Sequence, residues 1–328
     1  MKSEYPDIIT EDSMYHFIVN PASRSGQGAK YWNKVKDYLD AHNIAYNAHI
    51  STHSGHVAEL MQELTKDLTD TSDTLTVIVL GGDGTVNEAL QGIMRFDKLV
   101  LGYIPTGSSN DLARDLGISK DPVQALTNII KSPSVHAMDL GLLQYTDSAK
   151  GTEHSRRFAV SCSIGYDAAI CDEVMRSKLK KVLNRIGLGK LVYLMIALKQ
   201  LIGAKWIDAT LTLPESGEII PIKRLLFLAG MNHRYEGGGF MFAPKADWQD
   251  GIIDICSASD ATALRVLRIL PTAYKGNHLR FPELHDYHIP SYSVKTEAPM
   301  WLHVDGEPLV TATEIHVSCQ KQILQFIK

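Results

Sequence analysis

The residues best placed to do chemistry are a short glycine-rich run, Gly81-Gly82-Asp83-Gly84-Thr85. The run lies between the β-branched, apolar stretch Leu75–Leu80 and a segment that reads as helix from near Val86. Glycines let backbone N–H groups approach phosphate oxygens, and a helix N-terminus adds its positive end. Asp83 either sits near a phosphate-bound Mg²⁺ or caps the helix that follows. A second polar turn, Pro105 to Ser109, follows the apolar stretch Leu99–Ile104, and Asn110 stands where a helix cap would. Two Asp-Gly pairs carry further carboxylates. Asp305-Gly306-Glu307 follows Trp301-Leu302-His303-Val304, and Asp250-Gly251 follows Pro244–Gln249. A carboxylate can orient or deprotonate an attacking hydroxyl, or hold a hard cation. Asp-Gly is also a strong hairpin-turn signal.

These residues need elements to position them. Tyr15–Val19 reads as a strand, ended by Asn20-Pro21 and followed by the loop Ala22–Gly28. Tyr31, Val35, Tyr38 and Leu39 then recur at helical spacing. Ala45–Ile50 repeats the strand, and Gly55–Thr65 repeats the helix. Alternating strands and helices imply a doubly wound, mostly parallel α/β sheet. Beyond about Asp139 the character changes. Short strands are expected at Arg157–Ile164, Asp208–Leu213, Leu225–Met231, Gly251–Ala258, Val294–Glu297, Trp301–Val304 and Glu314–Ser318, interrupted by a helical insertion at Cys171–Gly203. This density suggests an antiparallel, β-sandwich-like domain. The expected division is 1–137 and 138–314, with 315–328 packing back on the first part.

Bulk properties bound the function. The chain has 328 residues, 45% hydrophobic and 21% charged, enough to bury a sizeable core. Its net charge of −4 excludes a global field for nucleic acid. The four cysteines, Cys162, Cys171, Cys256 and Cys319, form no C-x-x-C pair, which points to reduced thiols in a cytoplasmic setting. The start of the chain lacks an apolar signal core, and no run reaches the ~18 apolar residues of a spanning helix.

GGDGTVNE at 81–88 resembles the signature of the superfamily of diacylglycerol kinases, sphingosine kinases, NAD kinases and phosphofructokinases. No G-K-[ST] occurs, so this is not a Walker loop. Pro105–Arg114 resembles the lipid-kinase pattern P-x-G-T-x-N-D-x-A-R, with Ser108 for the usual Thr. Asn20–Gly28 and Ser51–Ala58 resemble two further loops of the bacterial diacylglycerol kinase family. The resemblance implies a lipid kinase that uses ATP and Mg²⁺ in a cleft between two domains. Carried over by position, nucleotide-binding residues are Asn20, Arg24, Gly26, Ser51 or Thr52, Gly81, Gly82, Asp83, Gly84, Thr85, Asn87, Glu88, Gly107, Ser108 and Asn110. Asp305 or Glu307 is implied as general base. Pro244–Asp254 resembles a segment that holds a structural Mg²⁺, implying the Asp250 carboxylate and the carbonyls of Asp247 and Ile252 as ligands. Asp139-Leu140-Gly141, Ser163–Ala168, Asn232 and Gly237-Gly238-Gly239 match as architecture without an assigned chemical role.

Residues 176–205 carry eight basic side chains and no acidic one, interleaved with apolar residues. Such a stretch can dock on anionic headgroups, or be the solvated back of a core-facing helix. The expected partners are therefore a lipid substrate and a membrane surface, bound peripherally. Strands of the second domain offer an edge for a homodimer. Among lipids diacylglycerol comes first. A sphingoid base or another lipid alcohol is the nearest alternative, and a non-catalytic nucleotide-binding regulator the more distant one.

Overall fold

The computed structural model describes residues 14–177 and 189–328. Lys178, Lys180, Lys181 and Arg185 of the basic stretch lie outside the described residues. The chain divides into two compact units, one running to Met138 and including Gln322–Lys328, the other Asp139–Lys321.

The first unit is a parallel sheet with helices on both faces. Its strands are β1 (Tyr15–Val19), β2 (Tyr46–Ile50), β3 (Leu75–Gly81) and β4 (Leu99–Pro105). They lie in the order β2-β1-β3-β4, and residues 325–327 pair parallel to β4 at its outer side. β3 and β4 are buried at nearly every position because both faces are covered. Helix α1 (Gly28–Ala41) places Trp32, Val35 and Leu39 against Phe17, Val19 and Ile78. Helix α2 (His56–Thr65) packs beside α3 (Asp83–Gly92). A Cβ on Gly92 would meet the Ala58 carbonyl oxygen at 2.1 Å, so this crossing depends on glycine. Two helices follow β4: α4 (Asp111–Asp115) and α5 (Pro122–Lys131), the latter capped by Asp121 accepting from Gln124 N–H.

The second unit is largely antiparallel. Its strands are β5 (Val135–Thr146, beginning just before the division), β6 (Glu153–Phe158), β7 (Ser161–Gly165), β8 (Ile207–Leu213), β9 (Glu218–Met231), β10 (Ile253–Ser259), β11 (Leu284–Ile289), β12 (Ser291–Val304) and β13 (Glu307–Ile327). They run β11-β10-β9-β7-β12-β13, with β5, β6 and β8 branching from this path. Leu211, Leu228, Ile255, Tyr292, Val294, Leu302 and Ile315 form its core. Helices α6 (Tyr166–Arg176), α7 (Gly189–Ile202) and α8 (Ala263–Ile269) complete it.

The alternating first half and strand-rich second half agree with the sequence reading. Several elements differ. The single strand expected at 157–164 is two strands, broken at Ala159-Val160, whose amides serve another purpose. The strands expected at 294–297 and 301–304 are one strand with an irregular register between Lys295 and Met300. Helix α5, strands β5 and β11 and helix α8 were not foreseen. Helix α3 begins at Asp83, three residues before the expected start, because the glycine loop is itself its first turn.

Candidate active site

The four loops that leave the C-terminal ends of β1 to β4 carry nearly all the expected nucleotide-binding residues. In open parallel sheets this edge is where ligands bind. The loops after β3 and β4 touch through glycine. A Cβ on Gly107 would lie 2.7 Å from the Cα of Gly82, and one on Gly82 3.1 Å from the Cα of Gly107. Gly81 is equally constrained, since a Cβ there would meet the Thr85 side chain at 2.4 Å. Thr106 N–H donates to the Gly81 carbonyl at 2.6 Å and locks the pair.

The loop after β1 joins them. Asn20 Nδ2 donates to Thr85 Oγ1 at 3.0 Å, and Asn20 Oδ1 accepts from Ala22 N–H. The Ser23 and Thr106 hydroxyls share a hydrogen bond of 2.7 Å. Arg24, Ser25 and Gly26 turn through positive φ, at 48°, 59° and 90°. Only glycine takes such backbone without strain, so two ordinary residues here are held by their surroundings. Arg24 is exposed, and its guanidinium donates to the Tyr31 hydroxyl at 3.0 Å.

Asp83 is tied into the scaffold. Its Oδ2 accepts the N–H of Asp111, the first residue of α4, at 2.9 Å. Its Oδ1 lies 3.4 Å from the Tyr103 hydroxyl, which is also 3.3 Å from Asn110 Oδ1. Asn110 caps α4 at φ 51° and donates through Nδ2 to the Gly107 carbonyl. Tyr103 is fully buried, and burial, with Asp83 beside it, holds its pKa well above the ordinary phenol value. It therefore remains a hydroxyl donor. Sequence reading missed Tyr103, although a buried tyrosine in an otherwise apolar strand needs a polar partner.

The remaining expected residues fall in two groups. Gly84 lies in the first turn of α3, and Ser108 is exposed at the tip of the β4 loop. Ser51 is buried at the end of β2, whereas Thr52 is exposed and its hydroxyl contacts His53 and His56. Asn87 is buried within α3, and Glu88 accepts the Val57 N–H at the start of α2. Glu88 thereby connects two helices of the scaffold.

In the second unit, Asp305 sits at φ 49° in the turn between β12 and β13. Its carboxylate accepts three backbone N–H groups: Ala159 at 3.0 Å, Val160 at 2.7 Å and Ser161 at 3.0 Å. Three such donors stabilise the charged form. Glu307 opens β13 and pairs across the turn with Val304. Behind this turn lies a constellation that sequence reading did not assemble. His303, 1% exposed, places Nε2 3.0 Å from Glu236 and 3.4 Å from Asp167, while Gly306 N–H approaches its Nδ1 at 3.3 Å. Burial opposes charge on this imidazole, but Glu236 and Asp167 outweigh it and hold its pKa well above the ordinary value. Among the described residues this is the one group of three such side chains able to converge on a cation, but its spacings are already those of hydrogen bonds. The clue was a histidine in an apolar strand, two and four residues before two carboxylates. Cys171, on α6, is pushed up to about 11 by burial, which makes it no nucleophile near neutral pH.

The Asp247–Ile252 turn belongs to the same unit. Asp250 Oδ1 accepts Ile252 N–H at 2.9 Å, and Asp247 Oδ1 accepts Gln249 N–H at 3.1 Å. The adjoining Gly251 N–H donates to buried Asp139 at 2.6 Å. The carboxylate of Asp250 and nearby carbonyls are hard oxygen donors, a set that fits Mg²⁺. In the basic stretch, Arg176 pairs with Asp172 and Lys199 with Glu173, so two of its cations are already engaged.

Glycine-rich loops at the C-terminal edge of a parallel sheet, joined in one chain to a strand-rich second unit, define the class of fold. Residues 14–143 match the diacylglycerol kinase catalytic domain family, and residues 160–328 match the YegS C-terminal NAD kinase beta sandwich-like domain family. The chain belongs to this family of lipid kinases. It is 31% identical over 211 residues to a diacylglycerol kinase of Mycobacterium tuberculosis H37Rv, covering 64% of this chain and 63% of that one. It is 24% identical to a diacylglycerol kinase of Bacillus subtilis, over 88% of both chains. A solved diacylglycerol kinase structure from Bacillus anthracis superposes with a TM-score of 0.66 at 18% identity, over 97% of each chain, a likeness of fold.

Two predictions follow from the geometry. Asp83→Ala removes the acceptor for Asp111 N–H, so it is expected to cost about 1–3 kcal/mol of stability as well as nucleotide affinity. Asp83→Asn keeps an acceptor oxygen and should recover most of the melting temperature while remaining weak in nucleotide binding. Equal melting of wild type and Asp83→Ala would contradict the anchor. The raised pKa of His303 sets a pH dependence. Its stabilisation is fully present below the reference imidazole value of 6.5 and is lost as pH rises through the higher folded value. The melting-temperature gap between wild type and His303→Gln should therefore be widest in mild acid and narrow above neutrality. A gap that widens with pH would show the opposite sign.

Proposed function

We propose that the protein transfers the γ-phosphoryl group of ATP to a lipid hydroxyl, with diacylglycerol as first substrate and phosphatidic acid as product. The observation that carries this is the glycine-to-glycine approach of Gly82 and Gly107, which leaves backbone rather than side chains facing a phosphate. Phosphoryl transfer is mostly positioning plus charge stabilisation, and backbone N–H groups at the start of a helix supply both. Gly81–Thr85 and Gly107–Asn110 hold the phosphates in this reading, Asn20 and Gly26 close the third side, and Arg24 supplies a cation. Ser51 or Thr52 contacts the nucleotide from the β2 loop. Asp83 would stand beside the Mg²⁺ that accompanies ATP, which would supply charge neutralisation at the phosphate oxygens. The Asp250 carboxylate, with the Asp247 and Ile252 carbonyls, would hold a second, structural Mg²⁺.

The hydroxyl proton goes to the Asp305–Glu307 pair. Asp305 anchors its turn through three amides, and Glu307 is the carboxylate beside it. Names of relatives support diacylglycerol as the acceptor, since the M. tuberculosis and B. subtilis proteins are called diacylglycerol kinases. The enzyme is read as cytoplasmic and peripherally bound to membrane. Among the described residues no helix is long and apolar enough to cross one.

The test is transfer of labelled γ-phosphate from Mg²⁺–ATP to a panel of diacylglycerol, sphingosine, ceramide and undecaprenol. Diacylglycerol should be labelled fastest. Glu307→Gln should lower kcat by about 10²–10⁴-fold, the usual worth of a general base. Asp305→Asn should lower melting temperature together with kcat, because it removes the charge that three amides face. No labelled lipid from any of the four would end the kinase-of-lipid reading; labelling of sphingosine alone would transfer it to the sphingoid-base class.

The structural cation makes a separate prediction. Millimolar Mg²⁺ should raise the melting temperature of the nucleotide-free protein, and Asp250→Ala should abolish that increment. An increment that survives Asp250→Ala would place the ion elsewhere.

A further inference from the structure

One face of the second unit has no part in the chemistry above. Helix α8 continues directly into the 3₁₀ turn Leu270–Lys275. Along them Leu264, Leu267 and Tyr274 are 60%, 39% and 54% exposed, and Pro271 is exposed as well. The intervals are three, four and three residues, so the four share one side of the helical path. Arg268 and Lys275 stand beside them on that side, both exposed, and neither has an ion-pair partner among the described residues. Between Asp260 and Glu283 the chain holds Arg265, Arg268, Lys275 and Arg280 and no acidic residue. Arg265 is taken by Glu283 at 2.6 Å and Arg280 leans on the Phe281 ring, which leaves Arg268 and Lys275 for an outside partner.

The opposite side is firmly held. Ile269 and Ala273 are buried, Ala263 and Val266 pack on the cluster containing Leu226 and Phe227, and Thr262 caps the helix by accepting Arg265 N–H. The exposed side chains are therefore presented on a fixed support. The support also leads to the site. Tyr274 stacks on Phe240 with ring centroids 4.0 Å apart. Phe240 and Glu236 exchange both backbone hydrogen bonds, at 2.9 and 3.0 Å, and Glu236 is the residue that holds His303.

We propose that this face docks on an anionic lipid surface. Leu264, Leu267 and Tyr274 enter the boundary between headgroups and acyl chains, and Arg268 and Lys275 meet headgroup phosphates. Apolar side chains interleaved with cations of one sign match that boundary, where an amphipathic segment lies in the plane. None of these side chains belongs to the 176–205 stretch. The face deepens the lipid-kinase reading by giving the enzyme its approach to the substrate, yet docking belongs to this surface alone and is measurable without turnover.

The experiment is co-sedimentation of the full chain with phosphatidylcholine vesicles, with and without phosphatidylglycerol, at low and high salt. Wild type should partition onto the phosphatidylglycerol vesicles and come off as salt rises. The pair Arg268→Glu with Lys275→Glu, and separately Leu264→Ser with Leu267→Ser, should each lower partition about tenfold or more, since each cation near such a surface and each buried apolar group contributes. The charge-reversal pair should melt as wild type does, because Arg268 and Lys275 are exposed. The proposal is overturned if wild type shows no preference for phosphatidylglycerol, or if both variants bind as wild type does. It is overturned equally if the Leu variants keep vesicle binding and instead dissociate a dimer in sedimentation velocity. The labelled-phosphate assay separates this from the functional reading. Vesicle binding without lipid labelling sustains the docking face and removes the kinase reading; labelling with unaltered binding by the variants does the reverse.

Discussion

The contact between Gly82 and Gly107 is the constraint on which the first unit's site rests. Two loops from neighbouring parallel strands meet backbone to backbone, with Cβ positions that would lie 2.7 and 3.1 Å from the opposing Cα. A side chain at either place would separate the loops. Once they touch, the rest is determined by what must satisfy the exposed backbone. Thr106 N–H finds the Gly81 carbonyl, Asn110 returns to Gly107, and Asp83 accepts from Asp111. Each bond is modest, about 0.5–1.5 kcal/mol net. Together they make helix α4 begin where the β3 loop ends.

The second unit solves a similar problem with charge in place of glycine. The β6–β7 break exposes three consecutive amides, and Asp305 gathers all three. An unmet buried amide would cost about 1–3 kcal/mol, so one carboxylate here does the work of a short strand pairing. The turn is then backed by His303, whose two carboxylate neighbours would repel each other without it. A buried pair of this kind is poor evidence of net stability, because desolvation consumes most of the attraction. What it fixes is position: removing one member leaves an uncompensated charge beside the Asp305–Glu307 turn.

The parallel half was legible because its pattern is local. Buried strands, glycine turns and amphipathic helices each declare themselves within about ten residues, and GGDGT falls where a strand gives way to a helix. The second half was less legible. Its strands pair at long range, and the break at Ala159-Val160 has no local signature, since its cause is a carboxylate 145 residues further along the chain. Strand β5 is apolar yet holds Asp139, which pays its way by accepting Gly251 N–H. His303 has no local signature either, since one histidine in a strand is ordinary; its meaning lies in Asp167 and Glu236, which arrive from a helix and a loop far apart in sequence.

Residues expected to do chemistry are held in the fold as anchors. Asp83, Glu88, Asp250 and Asp305 were each singled out as carboxylates, and each accepts a backbone N–H. Anchoring and chemistry are compatible, since a carboxylate has about four acceptor positions and an amide takes one. They are unequal in what they demand. An anchor requires only an oxygen at the right place, which an amide side chain can supply, whereas holding a cation or taking a proton requires the charge. Asp-to-Asn changes therefore separate the two roles where Asp-to-Ala changes merge them. Asp305, with three amides on it, is where the distinction is hardest: there the charge itself is part of the anchor, and loss of charge alters the turn and the chemistry together.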